Sequence, residues 1–219
     1  MIPPLEINTQ HKCDASVIWL HGLGADGHDF EPVVHALHLH SVRFILPNAP
    51  YRAVTINNSH VMPAWYDIFE LNHGAHEDEA GIRESQQLVE TLIAQEITNG
   101  IKPERIVIAG FSQGGAVALQ TALRHQKRLG GILALSTYLP LQTKLKSEVN
   151  QANKNIPIFM AHGLQDEVIT IETNLISRNI LSHHFPQLEW HEYAMGHAVT
   201  NDEISDIRHF LCKILYISN

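Results

Sequence analysis

The chain has 219 residues, 44% of them hydrophobic and 17% charged, with a formal charge of −8 when histidine is neutral. That length suits one domain with a single sizeable core, expected to span residues 1–219. The acidic balance and the lack of a basic cluster argue against nucleic acid or an anionic membrane surface as partner. Met1 to Glu6 carries neither the basic nor the apolar region of a secretory signal. No apolar run approaches the ~20 residues of a membrane span. Cys13 and Cys212 lie near opposite ends and are expected as free thiols in a reducing compartment, which makes a cytoplasmic location the expectation. Asn57-Asn58-Ser59 matches a glycosylation sequon, discounted for a chain that is not secreted.

Read in chain order, apolar runs and amphipathic stretches alternate. Ala15–Leu20 reads as a buried strand, followed by the loop His21-Gly22-Leu23-Gly24-Ala25-Asp26-Gly27. Phe30, Val33, Val34 and Leu37 then share one helical face, and Val42–Leu46 is the next strand. Residues 47–76 are irregular and contain Trp65 and Leu71. Ile82, Val89, Leu92, Ile93 and Ile97 form a helix face that ends at Asn99-Gly100. Arg105–Ala109 is a short β-branched run. Gly115 to Arg124 is rich in helix formers. Gly131–Ser136 and Ile156–Ala161 are further strands, separated by irregular residues 137–155. Ile171, Leu175, Ile176 and Ile180 form another stripe, Leu188–Tyr193 a last strand, and Ile204, Ile207, Leu211 and Ile214 a closing helix face. Each helix stripe is assigned to core packing. The alternation predicts a mostly parallel central sheet with helices on both faces.

The chemistry centres on Gly110-Phe111-Ser112-Gln113-Gly114, placed between a strand and a helix. G-x-S-x-G in that context is a nucleophile elbow, with serine on a sharp turn above the positive end of a helix. A serine hydroxyl needs a base, and the base needs an orienter. In such folds the order is serine, acid, histidine. Asp166 follows the Ile156–Ala161 strand through His162-Gly163, and His197 follows the last strand through Met195-Gly196. Both positions suit open α/β sheets, whose sites gather at strand C-terminal ends.

Each role has rivals among sixteen histidines and several acids. His21 and His162 each close a strand before a glycine, and a turn-shaping role suits both. Glu167 neighbours Asp166 but reads as a solvated loop charge. The glycines at 22, 24 and 27 match G-x-G-x-x-G only by a short coincidence, since no acidic residue closes the following strand and no Gly-Lys-Ser or Gly-Lys-Thr is present. Spacings such as H-E-x-x-H and C-x-x-C are missing, so no metal or cofactor is expected. The amides of Leu23 and Gln113 are the expected oxyanion-hole donors. Apolar residues of the irregular stretches suit an acyl groove or satellite core. Trp65, Leu71 and Val168 are the expected substrate contacts.

With these residues in place, the sequence resembles the phospholipase/carboxylesterase family of α/β-hydrolases, which includes acyl-protein thioesterases and small bacterial carboxylesterases. The resemblance spans Ser16 to Leu211. It rests on residues 21–27, Leu46-Pro47-Asn48-Ala49-Pro50, Met62-Pro63-Ala64-Trp65-Tyr66-Asp67, residues 110–115, Leu135 to Pro140, His162-Gly163 with Asp166, and Met195-Gly196-His197. It implies an α/β-hydrolase fold with Ser112 as nucleophile, Asp166 as orienter and His197 as base. It also implies a serine esterase acting on short-chain carboxylic esters, then on thioesters including S-acylated proteins, with an acyl-protein thioesterase or lysophospholipase acting on fatty-acyl groups as the alternative. Two departures stand out. Val168-Ile169-Thr170 lacks the proline usual after the acid, and His183-His184-Phe185-Pro186 replaces a glycine often found before the last strand. A catalytically inactive hydrolase fold used for binding is the reading from another class. The sequence specifies no oligomeric state, and a homodimer is left open.

Overall fold

Runs such as Ala15–Leu20 and Ile106–Phe111 are apolar at almost every position because both faces of their sheet are covered. The computed structural model describes residues 2–8, 13–70 and 76–217. Its main sheet has seven strands: β1 (Leu5–Ile7), β2 (Ala15–Leu20), β3 (Val42–Leu46), β6 (Ile106–Phe111), β7 (Gly131–Leu135), β8 (Ile158–Gly163) and β9 (Leu188–Tyr193). Their spatial order is β1-β3-β2-β6-β7-β8-β9. All neighbours are parallel except β1, which runs antiparallel to β3 at the edge. A separate hairpin pairs β4 (Tyr51–Val54) with β5 (His60–Pro63).

The helices are α1 (Glu31–Ala36), α2 (Glu79–Thr98), α3 (Gln113–Arg124), α4 (Leu145–Glu148), α5 (Ile171–His184) and α6 (Asn201–Ile214). Successive strand residues belong to opposite cores. Ile18, Leu20, Ile108, Ile132 and Met160 pack with residues of α2 and α3, while Val17, Trp19, Phe44, Leu133 and Phe159 pack with residues of α1 and α6. Each such side chain, fully buried, contributes roughly 1.5–3 kcal/mol. Among the described residues, no helix is long and apolar enough to cross a membrane.

Two expectations change. Residues 47–76 are not wholly irregular, because β4 and β5 form a hairpin around Asn58 and Ser59, both at positive φ. The buried face of α5 is not the Ile171–Leu175–Ile176–Ile180 stripe. Those residues are half-buried, and Asn174, Ser177 and Leu181 face inward. The cause is the loop after β7. Its Thr137 carbonyl and Leu139 amide lie in the core and need partners. Asn174 Nδ2 donates to the Thr137 carbonyl at 2.5 Å, and Leu139 N–H donates to Ser177 Oγ at 2.9 Å.

Candidate active site

The turn between β6 and α3 is built by close approach. A Cβ on Gly110 would lie 2.3 Å from the Gly114 backbone, and one on Gly114 would lie 2.4 Å from the Leu20 carbonyl oxygen. No side chain fits at either position, which explains both glycines of the motif. Ser112 between them sits at φ 53°, ψ −121°, a conformation non-glycine residues rarely adopt. Its N–H donates to the Leu135 carbonyl at 2.9 Å, and its own carbonyl accepts from Gly115 N–H, Ala116 N–H and Thr137 Oγ1. Serine at a helix N-cap commonly spends its hydroxyl on the helix. Here Ser112 makes no side-chain cap bond.

Ser112 is 9% exposed and lies in a cavity of about 310 Å³ rather than on the open surface. The cavity is shared with Gly22, Leu23, Gln113 and His197. Gln113 is the first residue of α3, so its amide is one of those without an intrahelical acceptor. Its side chain is tied elsewhere: Oε1 accepts from Trp65 N–H at 2.8 Å, and Nε2 donates to the Tyr66 carbonyl at 2.7 Å.

His197 Nδ1 and Asp166 Oδ2 are 2.7 Å apart, and the Asp166 side chain has no solvent exposure. Asp166 Oδ1 accepts from Val168 N–H and Ile169 N–H at 2.9 Å each, so the carboxylate shapes its own loop as well as holding the ring. The missing proline leaves this loop closed. His162 Nε2 donates to the Ile169 carbonyl at 2.8 Å and ties the loop to β8. Glu167 is exposed. The Phe111 ring lies 4.6 Å from the His197 ring and packs against it.

His21 and His162 have the turn-shaping role. His21 Nδ1 donates to the Gly22 carbonyl at 2.7 Å, and Nε2 accepts from Ala49 N–H at 3.0 Å. That pattern requires a neutral ring. Burial holds both histidines below the usual imidazole range.

The expected substrate contacts divide. Val168 lines the cavity mouth and is 47% exposed. Leu71 lies outside the described residues. Trp65 does not line the cavity. It is 1% exposed, donates Nε1–H to the His21 carbonyl at 2.8 Å, and accepts at its own carbonyl from Ser85 Oγ. Trp65 is scaffold behind the site, and its neighbour Tyr66 takes the cavity wall, with Tyr138, Ile68, Phe111 and Ile169. Tyr138 lay within the Leu135 to Pro140 motif, but nothing in the sequence set Tyr66 apart from Trp65. Among the described residues, no group of three or more His, Cys, Asp or Glu side chains is gathered to hold a metal ion.

A doubly covered parallel sheet, with serine, acid and histidine each following a different strand at its C-terminal end, is an α/β-hydrolase fold. Residues 6–215 match the phospholipase/carboxylesterase family, and the chain belongs to that family of carboxylic ester hydrolases. It is 41% identical to acyl-protein thioesterase 1 of Yarrowia lipolytica over 95% of this chain and 96% of that one. It is 40% identical to acyl-protein thioesterase 1 of Neurospora crassa over 97% and 92%. The crystal structure of Arabidopsis thaliana SOBER1 superposes with a TM-score of 0.88 at 32% identity, covering 92% of this chain and 99% of that one. That of Zea mays acyl-protein thioesterase 2 superposes at 0.87 with 26% identity, over 97% and 98%.

Proposed function

We propose that the chain is a serine esterase and thioesterase in which Ser112 is the nucleophile, His197 the base and Asp166 the orienter. The observation that carries this is the 2.7 Å contact between His197 Nδ1 and the fully buried Asp166 carboxylate, in a ring that shares its cavity with Ser112. With Nδ1–H committed to Asp166, Nε2 keeps the lone pair that accepts the Ser112 proton. Ser112 Oγ attacks the acyl carbon, and the amides of Leu23 and Gln113 receive the developing oxyanion. Collapse expels an alcohol or thiol that takes its proton from His197. Water, activated by the same ring, then releases the acid from Ser112.

The thioesterase half of the reading comes from the curated relatives, which are named acyl-protein thioesterases, and S-acylated proteins are the corresponding substrates here. Aliphatic residues at the cavity mouth, Ile56 and Val168, suit an acyl chain. We place the enzyme in the cytoplasm, where its two free cysteines would stay reduced. The deciding experiment is labelling with a fluorophosphonate probe, with kinetics on matched oxygen and sulfur esters. The wild-type chain labels and the Ser112→Ala variant does not, with a loss of about 10³-fold or more in kcat. A wild-type chain that neither labels nor turns over either ester is a binding protein instead.

A further inference from the structure

Two phenols meet on the wall of the cavity. Tyr66 follows β5 and Tyr138 follows β7, and their hydroxyl oxygens are 2.7 Å apart. Both residues line the cavity that holds Ser112 and His197. Tyr66 is 2% exposed, whereas Ile56 on the same cavity is 38% exposed. Tyr66 therefore lies deep in the cavity with the half-buried Tyr138 hydroxyl on it, and Ile56 and Val168 stand at the mouth. Tyr66 is fixed from behind by Gln113 Nε2 on its carbonyl, and the loop of Tyr138 is fixed by Asn174 and Ser177.

Hydrogen counting gives the pair a chemical character. Two phenols carry two hydroxyl hydrogens, and the bond between them uses one. The other has no acceptor among the described residues. Burial and the nearby Glu77 charge keep both hydroxyls protonated, with Tyr138 pushed up to about 12. Glu77 is held beside them by the Leu141 N–H, at 3.0 and 3.1 Å from its two oxygens.

We propose that the Tyr66–Tyr138 pair sets the acyl preference of this site, favouring acyl groups that are short, or that carry a neutral oxygen acceptor at its depth, over longer unbroken alkyl chains. The proposal rests on the reading of Ser112 as the residue that becomes acylated. An alkyl chain that reaches the pair covers a hydroxyl donor and offers it nothing, which leaves a buried donor unmet. A short acyl group leaves room for water there, and a remote ketone or ether oxygen accepts the hydrogen directly. A carboxylate end is rejected, because it would approach Glu77 in a poorly solvated pocket.

The test uses p-nitrophenyl esters, so that the leaving group is constant: butyryl, hexanoyl, 5-oxohexanoyl and octanoyl. Values of kcat/KM are compared for the wild type, Tyr66→Phe, Tyr138→Phe and the double variant. Ratios between esters do not depend on how much of a variant is folded. Each single variant still leaves one unmatched hydroxyl hydrogen, so the double variant carries the change in ratio, and the wild-type preferences decide the matter if it fails to fold. The wild type is expected to prefer butyryl to octanoyl and 5-oxohexanoyl to hexanoyl. Removing the hydroxyls is expected to raise the octanoyl-to-butyryl ratio about tenfold and to abolish the advantage of the ketone. Ratios unchanged within about twofold in the double variant overturn the proposal, as does a wild type that prefers octanoyl. Failure of the parent reading looks different: no ester is turned over, and Ser112 takes up no fluorophosphonate.

Discussion

The side-chain hydroxyl of Thr137 donates to the backbone carbonyl of Ser112 at 2.6 Å, inside the core. The same carbonyl accepts the amides of Gly115 at 3.0 Å and Ala116 at 3.2 Å, so the strained turn is gripped from its own helix and from the loop after β7. Thr137→Val keeps the shape and removes the hydroxyl. We expect kcat to fall about tenfold with KM nearly unchanged, because ester binding is left alone while the angle of attack loosens. Thr137→Ser should restore most of the rate. A nearly wild-type Thr137→Val beside a damaged Thr137→Ser would mean that packing on Gly115, not the hydrogen bond, is what matters.

The acid loop permits a sharp comparison between adjacent carboxylates. Asp166→Asn presents an amide to His197 Nδ1 and favours the wrong tautomer, and a loss approaching ~10⁴ in kcat/KM is expected. Glu167→Gln changes an exposed charge and should stay within about twofold of wild type. Steady-state kinetics of both variants on one activated ester check this, and a severe loss in Glu167→Gln alone would reverse the assignment.

Acid should weaken the fold through two histidines outside the proposed triad. Burial pushes His21 and His162 down, so below about pH 6.5 the unfolded chain binds protons that the folded one refuses. Stability is therefore complete above that pH and declines as pH falls through and below it. Urea midpoints measured between pH 7.5 and 5.5 should drop. His21→Gln, although less stable at every pH, should show a shallower decline. A slope identical to wild type would clear His21 of the effect.

Glu203 works in the opposite direction. It is fully buried in the first turn of α6, where only the Thr200 backbone favours its charged form and burial outweighs it. Burial raises its carboxyl from 4.5 to about 8. Between those values the folded chain keeps a proton that the unfolded chain releases, so this group's contribution is intact below pH 4.5 and is lost as pH rises through about 8. Measured against wild type, Glu203→Gln should gain unfolding free energy steadily from pH 5 to 8.5, by an amount on the order of a few kcal/mol. A difference that does not vary with pH would show that Glu203 is ionised throughout.

Legibility in the sequence followed burial. Ala15–Leu20, Val42–Leu46 and Leu188–Tyr193 were bounded correctly, because strands covered on both faces or bracketed by turn residues stand out as runs. β1 was invisible, since three residues at an antiparallel edge carry no pattern. The β4–β5 hairpin was hidden because its four-residue strands are mostly exposed or half-buried and form no apolar run. On α5, hydrophobicity pointed to the wrong face, because the core there requires hydrogen bonds from Asn174 and Ser177 to a buried loop. The Trp65 and Tyr66 exchange has a related cause. Loop residues have no periodicity to show which of two neighbours faces a cavity, and here Gln113 decides it from another element.

Every wall of the cavity comes from a different part of the chain: Leu23 after β2, Tyr66 after β5, Ser112 after β6, Tyr138 after β7, Ile169 after β8 and His197 after β9. The parallel ladders that bring them together join distant segments, such as Ser16 with Ile106. Pairings of that kind close late, because a long loop must be ordered before any contact rewards it. The cavity is thus complete only when all six of these segments have come together. On the roles proposed above, a nascent or clipped chain that stops short of His197 has its serine without its base.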